Sequence, residues 1–147
     1  MPEAPARVPH LLFVCVGNSC RSQMAEGFAR AALGPRAVAH SAGSRPAGHV
    51  HPQAVALMAE KGIDLAGHSS KSLAELPAGV VWDCVVTMGC GDACPHLPAR
   101  RRLDWDLPDP VALDDAGFRA VRDRIEELVA RLAAELPGPP APEAGRP

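Results

Sequence analysis

Two kinds of hydrophobic pattern alternate along the chain. Continuous apolar runs at residues 11–16 and 80–88 are typical of strands that are buried on both faces of a sheet. Residues 114–136 instead repeat apolar side chains at three- and four-residue steps, which predicts one amphipathic helix. Periodicity therefore indicates a mixed α/β chain.

Weaker signals fill the intervals between these segments. Composition favours a helix over residues 21–32, and Pro52 can occupy the first turn of a second helix that runs to about Lys61 and stops at Gly62. Ser69 and Ser70 can cap a short helix over residues 71–76. Further strands are predicted at residues 37–42 and 103–107. Strands alternating with helices predict an α/β three-layer sandwich with a central parallel sheet.

The ends of the chain differ from the middle in composition. Residues 1–9 contain three prolines and little apolar pattern, so we expect a flexible arm. Residues 137–147 are rich in Pro and Gly, which is typical of a disordered tail. The 147 residues therefore predict one domain over residues 10–136.

Composition and charge exclude several classes of function. The formal net charge is -2 and aromatic residues make up 3%, so we expect neither nucleic-acid binding nor base stacking. No apolar run approaches the roughly 18 residues of a membrane helix, and the N-terminus lacks the pattern of a signal peptide. We therefore expect a cytoplasmic monomer. There the five cysteines are reduced, and their clustering favours catalysis, redox chemistry or metal binding.

Cys15 and Arg21 enclose a segment that can bind an anion. Cys15 ends the first apolar run, and Gly17 and Asn18 tolerate the dihedral angles of a tight loop. No proline interrupts the segment, and a helix follows, so backbone N–H groups can converge on an oxyanion. The guanidinium of Arg21 can bind the same oxyanion through two hydrogen bonds. The predicted oxyanion-binding residues are Val16, Gly17, Asn18, Ser19, Cys20 and Arg21.

Cys15 is the candidate nucleophile of this segment. The helix N-terminus and Arg21 favour the thiolate, and Ser22 could donate a further hydrogen bond to the sulfur. The alternative is that Cys15 is a core residue beside a turn.

A second pair of cysteines follows the second strong strand. In a parallel sheet, the loop that holds Cys90 and Cys94 opens at the same edge as the Cys15 loop. Small residues separate the two cysteines, so a turn can bring them within the distance of a disulfide. The alternatives are a zinc site formed with His96 and a redox-sensing module without turnover. Since a fourth zinc ligand is not evident, we expect no metal and no other cofactor.

The wording of the first motif resembles a known family. Residues 15–27, Ser41-Ala42-Gly43 and Gly62-Ile63-Asp64 are similar to the landmarks of low-molecular-weight protein tyrosine phosphatases and thioredoxin-coupled arsenate reductases. The resemblance extends over residues 11–136 and implies a phosphatase-like fold. Gln23 favours the reductases, because the phosphatases usually have proline there.

For the reductases, the resemblance implies a relay of three cysteines. Cys15 would attack arsenate, Cys90 would attack Cys15 and release arsenite, and Cys94 would take over the disulfide for reduction by thioredoxin. The short spacing of Cys90 and Cys94 leaves a small-thiol or glutaredoxin-type reductant as a rival. A phosphatase, the alternative function, needs no such relay.

Two further residues have roles by the same resemblance. Asp109, followed by Pro110, matches the general acid of the family, and the alternative is an aspartate in a turn before proline. Some relatives bind potassium near the loop, and the position of their aspartate ligand is occupied by Lys71. We therefore expect the Lys71 ammonium to replace that cation beside Asn18 and Glu26. The alternative is a solvated lysine.

Overall fold

A computed structural model describes residues 8–89 and 97–136. Its sheet has four parallel strands: β1 His10–Cys15, β2 Val38–Gly43, β3 Cys84–Thr87 and β4 Arg101–Asp104. Their spatial order is β2-β1-β3-β4, with β1 paired to both β2 and β3. The predicted parallel α/β architecture is confirmed.

Three helices accompany the sheet: α1 Arg21–Leu33, α2 Pro52–Ala59 and α3 Asp115–Glu135. The side chain of Asp114 caps α3 by accepting a hydrogen bond from the N–H of Gly117 at 2.9 Å. Gly34, whose positive φ of 51° suits glycine, follows α1, and its N–H donates to the Arg30 carbonyl. The predicted helices therefore exist, with ends displaced by one or two residues.

Three predicted elements differ in extent or type. β3 begins at Cys84 rather than at residue 80, because Cys84 is the residue that pairs with Leu11 near the start of β1. β4 covers 101–104 rather than 103–107, since the chain leaves the sheet beyond Asp104. The short helix predicted at 71–76 is a 3₁₀ turn, Leu73–Glu75, capped by Ser72 rather than by Ser69 or Ser70.

The core lies on both faces of β1. Leu11 and Phe13 face the three helices and pack in one cluster with Met24 of α1 and Phe118 and Ile125 of α3. On the other face, Leu12 and Val14 pack in a smaller cluster with residues of the 3₁₀ turn and neighbouring loops. Alternate residues of β1 thus face opposite layers, and packing on both sides holds the strand in place up to Cys15.

Several predictions fall outside the described residues. These are the loop with Cys90, Cys94 and His96, the arm up to residue 7 and the tail from residue 137. Within the described part, Pro9 is attached to the sheet, since its carbonyl accepts the N–H of Val38 at 2.9 Å. No described helix is long and apolar enough to cross a membrane.

Candidate active site: an oxyanion pocket at the edge of the sheet

The loop that follows β1, residues 15–21, closes tightly against Gly43 at the end of β2. A Cβ atom at Gly43 would lie 2.5 Å from the Val16 carbonyl oxygen, so only glycine allows this approach. Asn18 has φ of 46°, a left-handed conformation that few residues other than glycine adopt. This segment, hereafter the Cys15 loop, therefore has its path fixed by Gly43 and Asn18.

The carbonyl groups of the Cys15 loop are bound from outside. The N–H of Arg45 donates to the Val16 oxygen at 2.9 Å, and that of Ala47 donates to the Gly17 oxygen at 2.8 Å. The N–H of His51 donates to the Ser19 oxygen at 3.1 Å. These bonds hold the carbonyls in place, and the loop is thereby suited to present N–H groups to a ligand.

Cys15 and Ser22 form a buried contact. The Sγ of Cys15 lies 3.0 Å from the Oγ of Ser22, and both residues are almost fully buried. Ser22 Oγ accepts a hydrogen bond from Asn18 Nδ2 at 2.8 Å, which leaves its own O–H free to donate to a thiolate. The predicted hydrogen bond from Ser22 to Cys15 therefore has the required geometry.

Gln23 connects the Cys15 loop to the segment before the 3₁₀ turn. Its Nε2 donates to Asn18 Oδ1 at 3.0 Å and to the Ser69 carbonyl at 2.9 Å. Its Oε1 lies 3.0 Å from Nδ1 of His68, whose pKa is lowered by burial. A proline at position 23 could make none of these contacts. The Gln23 amide thus joins Asn18 to Ser69 and His68, which the sequence pattern does not reveal.

Arg21 is held by two main-chain carbonyls. Its Nη1 donates to Met88 at 2.6 Å and to Leu107 at 3.1 Å, and the residue is 8% exposed. Its Nη2 lies 4.0 Å from Oδ2 of Asp109. The guanidinium is thus fixed on one side, and its other side lies close to the proposed acid.

Asp109 begins the 3₁₀ turn Pro110–Ala112. Its Oδ1 accepts the N–H of Val111 at 3.1 Å, while its side chain stays 60% exposed. Asp109 therefore does form the turn described by the alternative interpretation. It does not exclude the acid role, since Oδ2 remains available on the side of Arg21.

A cavity of about 260 Å³ joins these residues, hereafter the Cys15 pocket. Its lining residues are Cys15, Gly17, Ser19, Cys20, Arg21, Ala47, His49, His51, Asp109 and Val111. Cys15 and Arg21 of the Cys15 loop therefore share one small cavity with Asp109, which lies far along the sequence. Ala47 and Val111 contribute only small aliphatic side chains to its lining.

Two of the three described cysteines cannot act as nucleophiles at neutral pH. Burial, helped by the nearby Asp109 carboxylate, raises the pKa of Cys20 to about 12. Burial in the core also raises the pKa of Cys84 to about 11. Cys20 thus remains a neutral thiol.

Glu26 is a buried carboxylate behind the Cys15 loop. Ser41 Oγ donates to its Oε1 at 2.5 Å, and Arg30 Nη2 lies 2.5 Å from its Oε2. Nζ of Lys71 is 4.0 Å from Oε1, and it also donates to the Ser69 carbonyl at 3.2 Å. Lys71 therefore lies near Glu26, but Arg30 is the closer cation.

Among residues 8–89 and 97–136, no group of three or more His, Cys, Asp or Glu side chains could hold a metal ion. The residues of the zinc alternative, Cys90, Cys94 and His96, lie outside these ranges.

Comparison with known proteins decides the family. The family described as low molecular weight phosphotyrosine protein phosphatase matches residues 10–138. The chain belongs to this family. The family resemblance of the Cys15 loop is thereby confirmed, and it extends over residues 10–138.

Relatives at about 40% identity are named as reductases. The chain is 41% identical to arsenate reductase 1 of Staphylococcus epidermidis over 84% of its own length and 94% of that protein. It is 39% identical to a glutaredoxin arsenate reductase of Synechocystis sp. over 86% of its length and 97% of that protein.

Solved structures of arsenate reductases share the fold of this phosphatase-family chain. One, in a phosphate-binding state, has a TM-score of 0.78 and 37% identity, covering 88% of this chain and 99% of its own. A thioredoxin-dependent arsenate reductase of Corynebacterium glutamicum has a TM-score of 0.71 and 32% identity, covering 88% of this chain and 62% of its own.

Four titratable side chains of the site have no counterpart in the sequence predictions. Arg30 and His68 surround Glu26, and His49 and His51 line the Cys15 pocket. Only His51 carried a signal, since a residue before Pro52 at a helix start occupies the N-cap position. The others lie near the site only through the packing of distant segments in this phosphatase-family fold.

Proposed function

We propose that the protein is an arsenate reductase in which Cys15 is the nucleophile. The observation that carries the proposal is the cavity of about 260 Å³ shared by Cys15, Arg21 and Asp109, in a chain whose relatives at about 40% identity are arsenate reductases. A thiol, a fixed guanidinium and a carboxyl group around a small space suit a tetrahedral oxyanion.

The Cys15 loop and Arg21 bind arsenate. N–H groups of residues 16–21 and the positive end of α1 stabilise the oxygens that point into the loop. The guanidinium of Arg21 contributes the charge, and its bonds to the carbonyls of Met88 and Leu107 orient it before the substrate arrives.

The first chemical step forms a bond between sulfur and arsenic. Cys15, as thiolate, attacks arsenic while the hydrogen bond from Ser22 steadies the sulfur. The outward oxygen leaves as water after Asp109 has donated a proton to it. Arsenic remains in oxidation state five in this adduct.

The second step transfers two electrons. Cys90, as thiolate, attacks the sulfur of Cys15. The sulfur–arsenic bond breaks, its electron pair stays on arsenic, and arsenite leaves with arsenic in oxidation state three. The new Cys15–Cys90 disulfide holds the oxidation equivalents. Cys94 then attacks Cys90, which restores the Cys15 thiol and leaves a Cys90–Cys94 disulfide.

The position of Met88, just before the segment that contains Cys90 and Cys94, supports this relay. Met88 bonds through its N–H to Val14 at 3.0 Å and through its carbonyl to Arg21 at 2.6 Å. The chain therefore enters the segment that contains Cys90 directly beside the Cys15 loop, two residues before that cysteine.

An external dithiol closes the cycle by reducing the Cys90–Cys94 disulfide. We propose thioredoxin as this partner, with a glutaredoxin-type or small-thiol system as the rival. The relatives include a glutaredoxin arsenate reductase and a thioredoxin-dependent one, so both chemistries have precedent at this level of similarity. Either one requires a reducing compartment, in keeping with a cytoplasmic location.

Lys71 completes the proposal as a built-in cation. Its Nζ lies 4.0 Å from Glu26, and its backbone N–H donates to Asn18 Oδ1 at 2.8 Å. Lys71 is thus connected to both residues of the expected cation site. Together with Arg30 it supplies the positive charge that a potassium ion would otherwise bring to the buried Glu26 carboxylate.

A phosphatase is the second candidate, because the same pocket could bind a phosphomonoester and the family is named for that activity. Water would then resolve the intermediate, and Cys90 and Cys94 would be dispensable. The small aliphatic side chain of Val111 lines the pocket and offers no aromatic surface for an aryl phosphate, which favours a small inorganic anion.

The test is NADPH consumption with arsenate, thioredoxin and thioredoxin reductase, comparing the wild type with Cys94→Ser. We expect arsenate-dependent oxidation that is lost in the variant. Oxidation only with glutaredoxin and glutathione would replace the partner and keep the function. Hydrolysis of para-nitrophenyl phosphate without any arsenate reduction would select the phosphatase.

A further inference from the structure

His51 is a component of the Cys15 pocket that the proposed mechanism leaves without a role. It lines the cavity together with Cys15, Arg21 and Asp109. Its N–H donates to the Ser19 carbonyl at 3.1 Å, so its backbone is attached directly to the Cys15 loop. The position of the His51 backbone relative to the Cys15 loop is therefore fixed by a main-chain hydrogen bond.

The cap of α2 determines which nitrogen of His51 carries hydrogen. Nδ1 accepts the N–H of Gln53 at 3.1 Å, as the side-chain cap of that helix. A ring nitrogen that accepts a hydrogen bond has no hydrogen of its own, so the neutral imidazole is protonated on Nε2. His51 therefore presents an uncharged N–H donor at its other nitrogen.

Two further features restrain His51, one at its ring and one at its backbone. Its centroid lies 6.0 Å from that of Phe118 in α3, with 42° between the planes. Pro52 occupies the first position of α2 and fixes the backbone that follows. A donor restrained in this way loses little conformational freedom when it binds a ligand.

At the opening of the pocket, an oxyanion would need a hydrogen-bond donor for its outward oxygen. A tetrahedral oxyanion seated on the Cys15 loop directs three oxygens towards the loop and Arg21, and one outwards. Ala47 and Val111 offer no polar side chain there, and the carboxyl group of Asp109 serves proton transfer in the proposed first step. His49 is exposed and has no described hydrogen bond that orients its ring. His51 is the residue with an oriented N–H.

We propose that the Nε2–H of His51 donates to the outward oxygen of the bound oxyanion, and so selects inorganic oxyanions over phosphomonoesters. The inference rests on the oxyanion pocket of the proposed function. In a monoester the outward oxygen carries a carbon group, which makes it a poorer acceptor and places bulk near the imidazole. An inorganic anion offers that oxygen freely.

Binding of unreactive anions to the reduced protein tests this role by calorimetry. Inorganic phosphate carries an outward oxygen, whereas phenylphosphonate has carbon in its place. In His51→Ser and His51→Asn the polar side chain still caps α2. We expect either substitution to weaken phosphate binding about tenfold, the low end for a hydrogen bond to a charged group. Phenylphosphonate binding should change less than about threefold.

His40→Gln is the control, since it removes a histidine that packs against His10 and Trp82 and does not line the Cys15 pocket. It should change the phosphate affinity less than about twofold. Circular dichroism melting shows which His51 variant is folded, and if His51→Ser unfolds the protein, His51→Asn carries the test.

Unchanged phosphate affinity in a folded His51 variant, or equal losses for both anions, would overturn the inference, as would a wild type that binds no phosphate. Arsenite formation is measured separately on the wild type. Its absence, with the phosphate effect intact, would refute the reductase and leave the role of His51 standing.

Discussion

The Oγ of Ser22 lies 3.0 Å from the Sγ of Cys15, in a position where it can donate because it already accepts from Asn18. This contact joins the nucleophile to the first turn of α1. The same turn also carries Gln23, which holds Asn18 in place. The orientation of the sulfur and the shape of the loop are therefore coupled.

Replacing Ser22 with Ala should slow the attack of Cys15. The thiolate loses its donor, and Asn18 Nδ2 loses a buried acceptor, so kcat/KM for arsenate should fall about tenfold, or about 1.4 kcal/mol. Alkylation of Cys15 by iodoacetamide at pH 7 should slow in parallel.

Ser44→Ala is the control for that substitution. The Ser44 hydroxyl is buried and has no hydrogen-bond partner in the described structure, so its removal should leave activity and stability unchanged. Equal alkylation rates in the wild type and Ser22→Ala would show that the hydroxyl has no influence on the sulfur.

Arg21→Lys should be severe despite the retained charge. Arg21 bonds two carbonyls through Nη1 and still has nitrogens left for the anion, whereas a lysine ammonium cannot do both. We expect kcat/KM for arsenate, measured as arsenite formation, to fall at least about 100-fold. Activity within about threefold of the wild type would contradict the role of the guanidinium.

Lys71 should make the enzyme indifferent to potassium. With its ammonium beside Glu26, replacing sodium by potassium in the assay should change the arsenate reduction rate less than about twofold. Lys71→Asp adds a second carboxylate beside Glu26, so activity should become potassium-dependent. Lys61→Ala, which removes the other lysine of the chain, is the control. A strong potassium response of the wild type would refute the idea.

The sequence predicts an element well when neighbouring residues determine it, and poorly when its extent depends on pairing with a distant segment. The apolar stripe and the Asp114 cap of α3 are local, and the sequence places that helix correctly. The start of β3 depends on pairing between Leu11 and Cys84, which are far apart in the chain, so the apolar run overestimates the strand.

The residues of the site show the same contrast between local motifs and contacts made by packing. Cys15, Arg21 and Ser22 lie in one continuous motif, and Asp109 follows from the resemblance. The contacts of Gln23 and Arg30, and the place of His51 in the pocket, depend on how three separate segments pack. No periodicity or spacing within the sequence records these neighbours.

Acid should destabilise the fold through His40. Burial and the adjacent His10, whose Nδ1 lies 3.1 Å from His40 Nε2, lower the pKa of His40. The unfolded chain therefore binds more protons, and stability falls as the pH drops below the unfolded value of about 6.5. His68 acts in the same direction, because burial lowers its pKa too.

Urea unfolding at pH 7.5 and pH 5.5 measures this dependence. The urea concentration at the unfolding midpoint should fall on acidification for the wild type. It should fall less for His40→Gln, since that substitution removes one of the groups responsible. The same loss in both proteins would assign the effect to other residues.

The most direct measurement of the central claim is the arsenite released by fully reduced protein when no external reductant is present. Cys15 and Cys90 together supply the two electrons, so the wild type and Cys94→Ser should each release about one arsenite per chain. Cys15→Ser and Cys90→Ser should release none. Release from Cys90→Ser equal to the wild type, or none from the wild type while para-nitrophenyl phosphate is hydrolysed, would contradict the relay.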